Sequence, residues 1–588
     1  MALKRNPSRV YTALSYVWGD ASITEDILVD GIPFTVTSNL ASALQQIQRS
    51  FGDIVLWADA ITINQRDIME RNQQVLLMKD IYSKAERVIA WLGPDEHGGS
   101  QALKTFENIF RNVISYPNHF EWITKMPELL TVNGTYTMNS DKRIQSNDRL
   151  EKLMLLLKRP FWKRIWIVQE LVLPSNLRLL CGEKFTDMPE PDAFYSAVTM
   201  LSKMPSGRPG SLPFHLLWRL IECIAPLRLL ATLRFQHLHQ KQPVNGVSEG
   251  RSEFLHMRPL LDFHEASDPR DHVYGLLGLI NLDIVPDYGE NMTVADVFVE
   301  VARHCLKAHP LDSLCFAGIE HSRNGPDSLI RPDSPSWVPD WRLPTPARLR
   351  IWRYPQSHAF PSNDGLQMRV IDRKWIRGPA VVWDRVSRTE DKTGWDLKEW
   401  DLVEMIDIEK PGDLAYPSGI SRFDAIVILW VGGYDGTKPS ACDLQLDSQL
   451  FQSYKYIVFA NILQPWANKH GRHEIPKLSR LILGRDELTS LPVVPTSHRE
   501  SYIARSRQLR FGMRCFHTEK GYIGLGPLAT EVGDLIGVLE GHKAPVLLRR
   551  QGSHYIFVGD CDVVGIMRGE VLEAVQRGEA EIAEIEIR

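Results

Sequence analysis

The densest chemistry in the sequence lies in Arg159-Pro-Phe-Trp-Lys-Arg-Ile-Trp-Ile-Val-Gln-Glu170-Leu-Val-Leu173. Trp162 and Trp166, the cations Arg159, Lys163 and Arg164, and the carboxylate of Glu170 stand close together just before an apolar run. A helix beginning after Pro160 would carry Trp162, Trp166 and Glu170 at i, i+4 and i+8, a stripe along one face. An unpaired carboxylate beside aromatic surface is expensive to bury. Glu170 is therefore expected either to pair with Arg159 or Arg164 or to line a cleft reached by a ligand.

A second group of polar residues comes just after short apolar runs. Asp59 stands just beyond Ile54-Val-Leu-Trp57, and Trp18-Gly19-Asp20 ends the β-rich run that starts at Tyr11. In open α/β sheets ligands bind outside the carboxyl ends of strands, so Asp59 and the Trp18-Gly19 turn would face one crevice if their strands are neighbours. The competing role for Asp59 or Asn64 is to cap the following helix. Other motifs carry less. Gly521-x-x-Gly524-x-Gly526 lies in an expected hairpin and precedes Pro527, which suits turn glycines and not a dinucleotide fingerprint. His264, Glu265 and His272 lack the spacing of a metalloprotease helix and Pro269 interrupts them, so no metal is assigned. No Gly-x-Ser-x-Gly elbow is present.

The elements that must position these residues read as alternating strands and helices. Strands are expected at Tyr11–Trp18, around an Asp30-Gly31 hairpin turn, at Ile54–Trp57 and at Arg87–Leu92. Helices are expected after Ser38 as N-cap, with Leu40, Leu44 and Ile47 on one face, and from Asp67 to Glu86, with Val75, Met78, Tyr82 and Ala85 on one face. This alternation predicts an N-terminal α/β domain over residues 1–182, built on a parallel sheet. A polar, weakly periodic stretch at about 95–148 reads as an insertion or mobile loop, and Leu177–Cys181 as the last strand. Residues 183–330 read as mainly helical, broken by a polar link at about 239–252. Residues 331–588 read as mixed to β-rich, with a small antiparallel β module at about 510–570.

Composition narrows the class. With 588 residues, 44% of them apolar and 24% charged, the chain is expected to form two to four globular domains. A net charge of −4 and the lack of a long basic run give no support for nucleic-acid binding. The N-terminal residues lack a secretory apolar core, and the longest apolar runs, such as Ala425–Val431, are of strand length, so a cytoplasmic, non-membrane protein is expected. Seven scattered cysteines without a Cys-x-x-Cys pair fit a reducing compartment, with neither disulfides nor a zinc site expected.

Several ordered motifs together carry a resemblance. Tyr11-x-Ala-Leu-Ser-Tyr-Val-Trp-Gly-Asp20, Trp57-x-Asp-Ala-Ile-x-Ile-Asn-Gln65, Glu70-Arg-Asn-x-Gln-Val75, Val88-x-x-Trp-Leu-Gly93 and Arg159-x-x-Trp-x-Arg-x-Trp-x-x-Gln-Glu170 resemble the fungal heterokaryon incompatibility (HET) domain. More loosely, Asp268-x-Arg-Asp-x-Val-Tyr-Gly, Pro286-Asp-Tyr288 and the late glycine-rich β region are similar to the segments C-terminal to that domain in its family. The family implies non-self recognition and programmed cell death, with protein partners or self-association. Its domain is in turn similar to the Toll/interleukin-1 receptor (TIR) domain, which implies a flavodoxin-like sheet. Leu14-Ser-Tyr-Val-Trp-Gly-Asp20 resembles the opening motif of plant TIR domains, and Trp166-Ile-Val-Gln-Glu-Leu171 the segment that holds the catalytic Glu of NAD-cleaving members. Carried over, Glu170 is the catalytic candidate, with Tyr16, Trp18, Gly19, Asp59 and Trp166 as substrate-binding candidates. NAD or NADP would be the substrate, and no further cofactor is implied. The nicotinamide–ribose bond already carries a cationic leaving group, so one carboxylate near the developing oxocarbenium suffices. Thr62 stands where the family often has Cys, which argues against a thiol nucleophile there. The alternative is a non-catalytic module that self-associates through TIR-like contacts.

Overall fold

The computed structural model describes residues 10–112, 148–202, 214–239, 253–258, 261–280, 282–308, 314–319, 334–343, 359–360, 368–372, 374–393, 416–432, 434–435, 442–443, 445–476, 479–480, 493–510 and 513–588. The polar link at about 240–252 and residues 113–147 of the expected insertion lie outside them. The chain divides into two compact units, Met1–Val297 and Phe298–Arg588.

The first unit begins with β1 (Thr12–Ser15), the hairpin β2 (Thr24–Val29) and β3 (Ile32–Thr37), α1 (Ser38–Phe51), β4 (Leu56–Trp57), α2 (Asp59–Thr62), α3 (Ile68–Lys84) and β5 (Arg87–Trp91). After these come α4 (Gly99–Asn112), α5 (Asp148–Leu157), α6 (Ile167–Val172), β6 (Leu177–Cys181), β7 (Lys184–Asp187), α7 (Pro191–Ser202), α8 (Phe214–Leu238), α9 (Glu253–Met257) and α10 (Asp271–Tyr274). The sheet order is β4-β1-β5-β6-β7. β1 pairs in parallel with β4 and β5, β5 pairs in parallel with β6, and β7 returns antiparallel to β6. The chain leaves β1 for one neighbour and then crosses to the other, which opens a crevice at the carboxyl end of β1. β1 and most of β5 are buried, as short apolar strands covered on both faces should be.

Local chemistry explains the elements. Asp30 and Gly31 both take positive φ, 53° and 78°, the combination a two-residue hairpin turn demands. α1 buries Leu40, Ala41, Ala43 and Ile47 in one cluster with Leu14, Tyr16, Ile89 and Trp91. A fully buried Leu or Ile is worth roughly 1.5–3 kcal/mol, so this stripe anchors the helix to the sheet. Thr37, not Ser38, occupies the N-cap position of α1, and it makes no side-chain cap bond. Asp67 caps α3 through the amides of Met69 and Glu70.

Three assignments of element type are also corrected. The segment after Pro160 is not one helix: a 3₁₀ turn over Pro160–Lys163 ends at Arg164, whose backbone is extended (φ −68°, ψ 130°), and α6 starts afresh at Ile167. The cause is pairing with a distant strand-like segment, because Ile165 N donates to Glu265 O and Glu265 N donates to Lys163 O. Part of the expected insertion is ordered helix: α4 buries Ala102, Leu103, Phe106, Ile109 and Phe110 at helical spacing. The apolar run at Ala425–Val431, of strand length, is also helical and belongs to the second unit.

The division between the units falls within α11 (Val294–Ala308). The second unit contains β8 (Arg369–Val370), β9 (Ile376–Thr393), α12 (Arg422–Val431), the pair β10 (Tyr434–Asp435) and β11 (Cys442–Asp443), α13 (Gln449–His470) and α14 (Thr496–Arg510). β12 (Met513–Thr518), β13 (Ile523–Pro527), β14 (Leu535–Leu539), β15 (Val546–Gln551), β16 (His554–Asp560), β17 (Asp562–Val563), α15 (Glu570–Gln576) and β18 (Ala583–Ile587) complete it. α12 is bounded by Ser421, whose hydroxyl accepts from Asp424 N, and by left-handed Gly432; these caps decide helix over strand. The pairings β14-β15-β16-β18-β9 close on themselves through β9–β14, giving a ring of five strands. β12, β13 and β17 extend the sheet from β9. The β architecture is thus larger than a module at 510–570 and includes one parallel pair, β16 with β18. Among the described residues, no helix is long and apolar enough to cross a membrane.

Candidate functional site

The residues just past β1 and β4 determine the site. β1 ends at Ser15; Tyr16 turns into the cluster with Leu14 and Ile89, and Trp18 swings outward past Gly19, which takes φ +80°. β4 ends at Trp57, and Ala58 is extended before α2, which brings Asp59 beside Trp18. The Trp18 indole donates to Asp59 Oδ2 at 2.8 Å, and Ala60 N donates to Asp59 Oδ1 at 2.7 Å. Asp59 is thus a crevice wall and not the helix cap: Ala58 holds the N-cap position of α2 without a side-chain cap bond, and Asp67 caps α3.

Glu170 enters from α6. It is 5% exposed, and both oxygens are held: Arg164 Nη1 donates to Oε2 at 3.1 Å, Arg164 Nη2 to Oε1 at 3.3 Å, and the Ser15 hydroxyl to Oε2 at 2.5 Å. Of the two candidate partners Arg164 is the one that pairs. Arg159 instead donates to the carbonyls of Leu92, Pro94 and Glu96. Burial pushes the Glu170 carboxyl above its ordinary range, with Asp59 adding to the effect and Arg164 and Ser15 opposing it. Burial also works against the Arg164 charge, but Glu170 and Asp59 outweigh it and hold the guanidinium above its usual value.

Trp166 and a later segment form the opposite wall. The Trp166 indole donates to Asp271 Oδ2 at 3.0 Å, and the Tyr288 hydroxyl to Asp271 Oδ1 at 2.6 Å. Burial raises the Asp271 carboxyl, while these two hydrogen bonds oppose the rise. Arg71 lies over the Tyr288 ring, 3.5 Å from its centroid, and Arg270 pairs with Asp268 at 2.8 Å.

These walls enclose a cleft of about 500 Å³, within the roughly 300–1,000 Å³ usual for small-molecule sites. Trp18, Gly19, Asp59, Trp166 and Glu170 all line it. Tyr16 does not. It is 2% exposed, because the alternation of β1 sends it with Leu14 into the core, and its hydroxyl is pushed far above the usual phenol range by burial and then by Asp59. Trp162 is likewise buried away from the cleft, its indole donating to Leu156 O, since the break at Arg164 destroys the expected stripe. Sequence reasoning places none of Arg71, Asp268, Asp271 and Tyr288 at the site. The available signals are the Asp268-Pro-Arg-Asp271 and Pro286-Asp-Tyr288 motifs, which become part of it only through the pairing of Ile165 with Glu265. Five carboxylates (Asp59, Glu170, Glu265, Asp268, Asp271) and two guanidinium groups (Arg71, Arg164) line the cleft, and Lys163 and Arg270 pair with Glu265 and Asp268, which leaves an excess of one carboxylate. Such a lining favours a ligand that brings a cationic moiety and hydroxyl donors. Glu170 Oε1 receives one hydrogen bond and keeps acceptor capacity for a ligand hydroxyl.

Residues 11–170 match the family model described as heterokaryon incompatibility protein (HET), and residues 496–580 match that of the Het-6 beta-barrel domain. The first match ends on Glu170, so the wall formed by Glu265 to Tyr288 lies beyond it. The heterokaryon incompatibility protein 6, OR allele, of Neurospora crassa is 25% identical, over 97% of this chain and 91% of that protein. No solved structure gives a significant match.

Proposed function

We propose, from the matches to the HET and Het-6 beta-barrel domain models, that this chain is a heterokaryon-incompatibility-type protein that acts in non-self recognition and programmed cell death by cleaving NAD or NADP at the nicotinamide–ribose bond. The observation that carries the enzymatic reading is the convergence of Glu170, Asp59, Trp18 and Trp166 on one cleft at the carboxyl ends of β1 and β4. Numbered along the chain, the sheet strands run 2-1-3-4-5, the flavodoxin-like order. That order supports the likeness to TIR domains, although the fifth strand here is antiparallel.

The chemistry rests on the lining. The tryptophans offer stacking surface for the nicotinamide ring, and the excess of carboxylates suits its positive charge. As the C1′–N bond breaks, its electron pair neutralises the pyridinium, and positive charge grows on the ribose. Glu170, paired with Arg164, stabilises that charge in its ionised form; water then adds at C1′ and loses its proton to solvent. The test is to incubate the full chain, alone and in forced oligomers, with NAD and NADP and follow nicotinamide release. Loss of at least about a hundredfold in Glu170→Gln is expected. No release in any assembly state, or release unchanged by Glu170→Gln, overturns the enzymatic reading.

A second, non-catalytic reading draws on one observation: both Glu170 oxygens already have partners inside the protein. Under it the same domain acts by self-association. Concentration-dependent assembly without nicotinamide release would favour it.

A further inference from the structure

In the second unit, the turn after β14 brings His542 beside the last residue of β16, Asp560, and the segment of residues 314–319 brings Cys315 to the same place. One ligand atom from each, the Cys315 thiol, a His542 ring nitrogen and an Asp560 carboxylate oxygen, lie within 4.8 Å of one another. The His542 side chain is fully buried, and its Nε2 meets Asp560 Oδ1 at 3.0 Å. Its Nδ1 is buried without a hydrogen-bond partner.

All three segments are held by contacts of their own. His542 N donates to Leu539 O, Gly541 N donates to Phe360 O, and Ala359 N donates to Lys543 O, which pins the turn on both sides. Asp560 is fixed by its pairing with Val546. Leu314, Phe316 and Ala317, around Cys315, are buried, and Gly318 packs so closely on β16 that a Cβ there would stand 2.5 Å from Val558 O. Cys315 itself is half-buried, so the cluster faces solvent on one side.

We propose that Cys315, His542 and Asp560 form a binding site for a divalent transition-metal ion of the zinc class, with water as the fourth ligand. Sulfur, nitrogen and oxygen donors in one cluster suit zinc: thiolate and imidazole select it over magnesium or calcium, and a carboxylate completes a mixed set. Ligands about 2.0–2.3 Å from a tetrahedral ion stand roughly 3.3–3.7 Å apart, so wider gaps within the 4.8 Å cluster must close, while the 3.0 Å His542 Nε2–Asp560 Oδ1 contact would open slightly if both atoms bind the ion. Binding replaces the Cys315 thiol proton, which leaves to solvent, and ties the segment bearing Cys315 to the β14–β15 turn.

The test uses the full chain, stripped with a chelator and dialysed. Zinc is titrated by calorimetry, and cobalt(II) is added as a spectroscopic substitute. One ion per chain is expected, with a thiolate-to-cobalt charge-transfer band and protection of Cys315 from alkylation, mapped by peptide mass. Cys315→Ser is expected to abolish the band, and both Cys315→Ser and His542→Gln to weaken zinc binding at least about tenfold. Either variant could misfold, so the wild-type band and the protection of Cys315 are read independently of both. Absence of bound zinc, a charge-transfer band that survives Cys315→Ser, or alkylation of Cys315 indifferent to zinc overturns the proposal.

Discussion

The Trp18 indole hydrogen-bonds to Asp59, joining the segment after β1 to the segment after β4 across the mouth of the cleft. Since Asp59 is also fixed by Ala60 N, the carboxylate orients the indole, and not the reverse. Asp59→Asn and Trp18→Ala are therefore expected to raise KM for nicotinamide nucleotides about three- to tenfold, the worth of one hydrogen bond or stacking contact, with a smaller change in kcat. Steady-state kinetics at saturating and limiting substrate separate the two effects. An unchanged KM in both variants would remove Trp18 from the binding surface.

Glu170 is buried and Arg164 mostly so, and removal of Arg164 strands the buried carboxylate. Arg164→Ala is expected to cost about 3–5 kcal/mol in urea unfolding. The double variant Arg164→Met with Glu170→Met should recover most of that loss, because two apolar side chains restore a neutral interior. A double variant no more stable than Arg164→Ala would mean that the pair contributes more than charge compensation.

His264 links stability to pH. Burial, with His272 and Arg258 adding to it, holds its pKa down to about 4, whereas in the unfolded chain it titrates near 6.5. Between those values the unfolded state binds a proton that the folded state refuses. Its contribution is thus complete above about pH 6.5 and is lost as pH falls toward 4, on the order of 3 kcal/mol. Urea unfolding at pH 7 and pH 5 should show a shallower pH dependence for His264→Gln than for the wild type.

Gly278 tests how closely the far wall is fitted to α6. A Cβ at this position would lie 2.0 Å from Gln169 Oε1, and Gln169 is buried next to Glu170. Gly278→Ala is expected to destabilise the first unit by about 1–3 kcal/mol. It should also lower nicotinamide release by the proposed reaction, because Gln169 precedes Glu170 on α6. Thermal unfolding and turnover, measured side by side, check both.

What the sequence makes legible depends on the range of the interaction. β1, β5, β6 and the Asp30-Gly31 turn come from local patterns, as do the positions of Trp18 and Asp59 just past strand ends. The partner of Glu170 does not, because Arg159 and Arg164 are both near in sequence. The choice is made by the extended backbone of Arg164, itself imposed by distant Glu265. The burial of Tyr16 was readable from strand alternation, since it shares the inward face with Leu14. The wall of Asp268, Asp271 and Tyr288 was not, because no local pattern ties it to the cleft. At Ala425–Val431 an apolar run is equally compatible with helix and strand, and the caps Ser421 and Gly432 decide.

The closed ring of the second unit has a consequence for how it can be made or cut. Two of its staves, β9 and β18, are separated by everything between Thr393 and Ala583, and β9 alone bridges the ring to the outer strands. A fragment limited to residues 496–580 would lack both staves and expose the edges of β14 and β16, open templates for pairing with other chains. During synthesis β9 is already present when β14 emerges, but the edge of β16 and the facing edge of β9 stay bare until β18 arrives, a long-range closure that slows assembly of this unit.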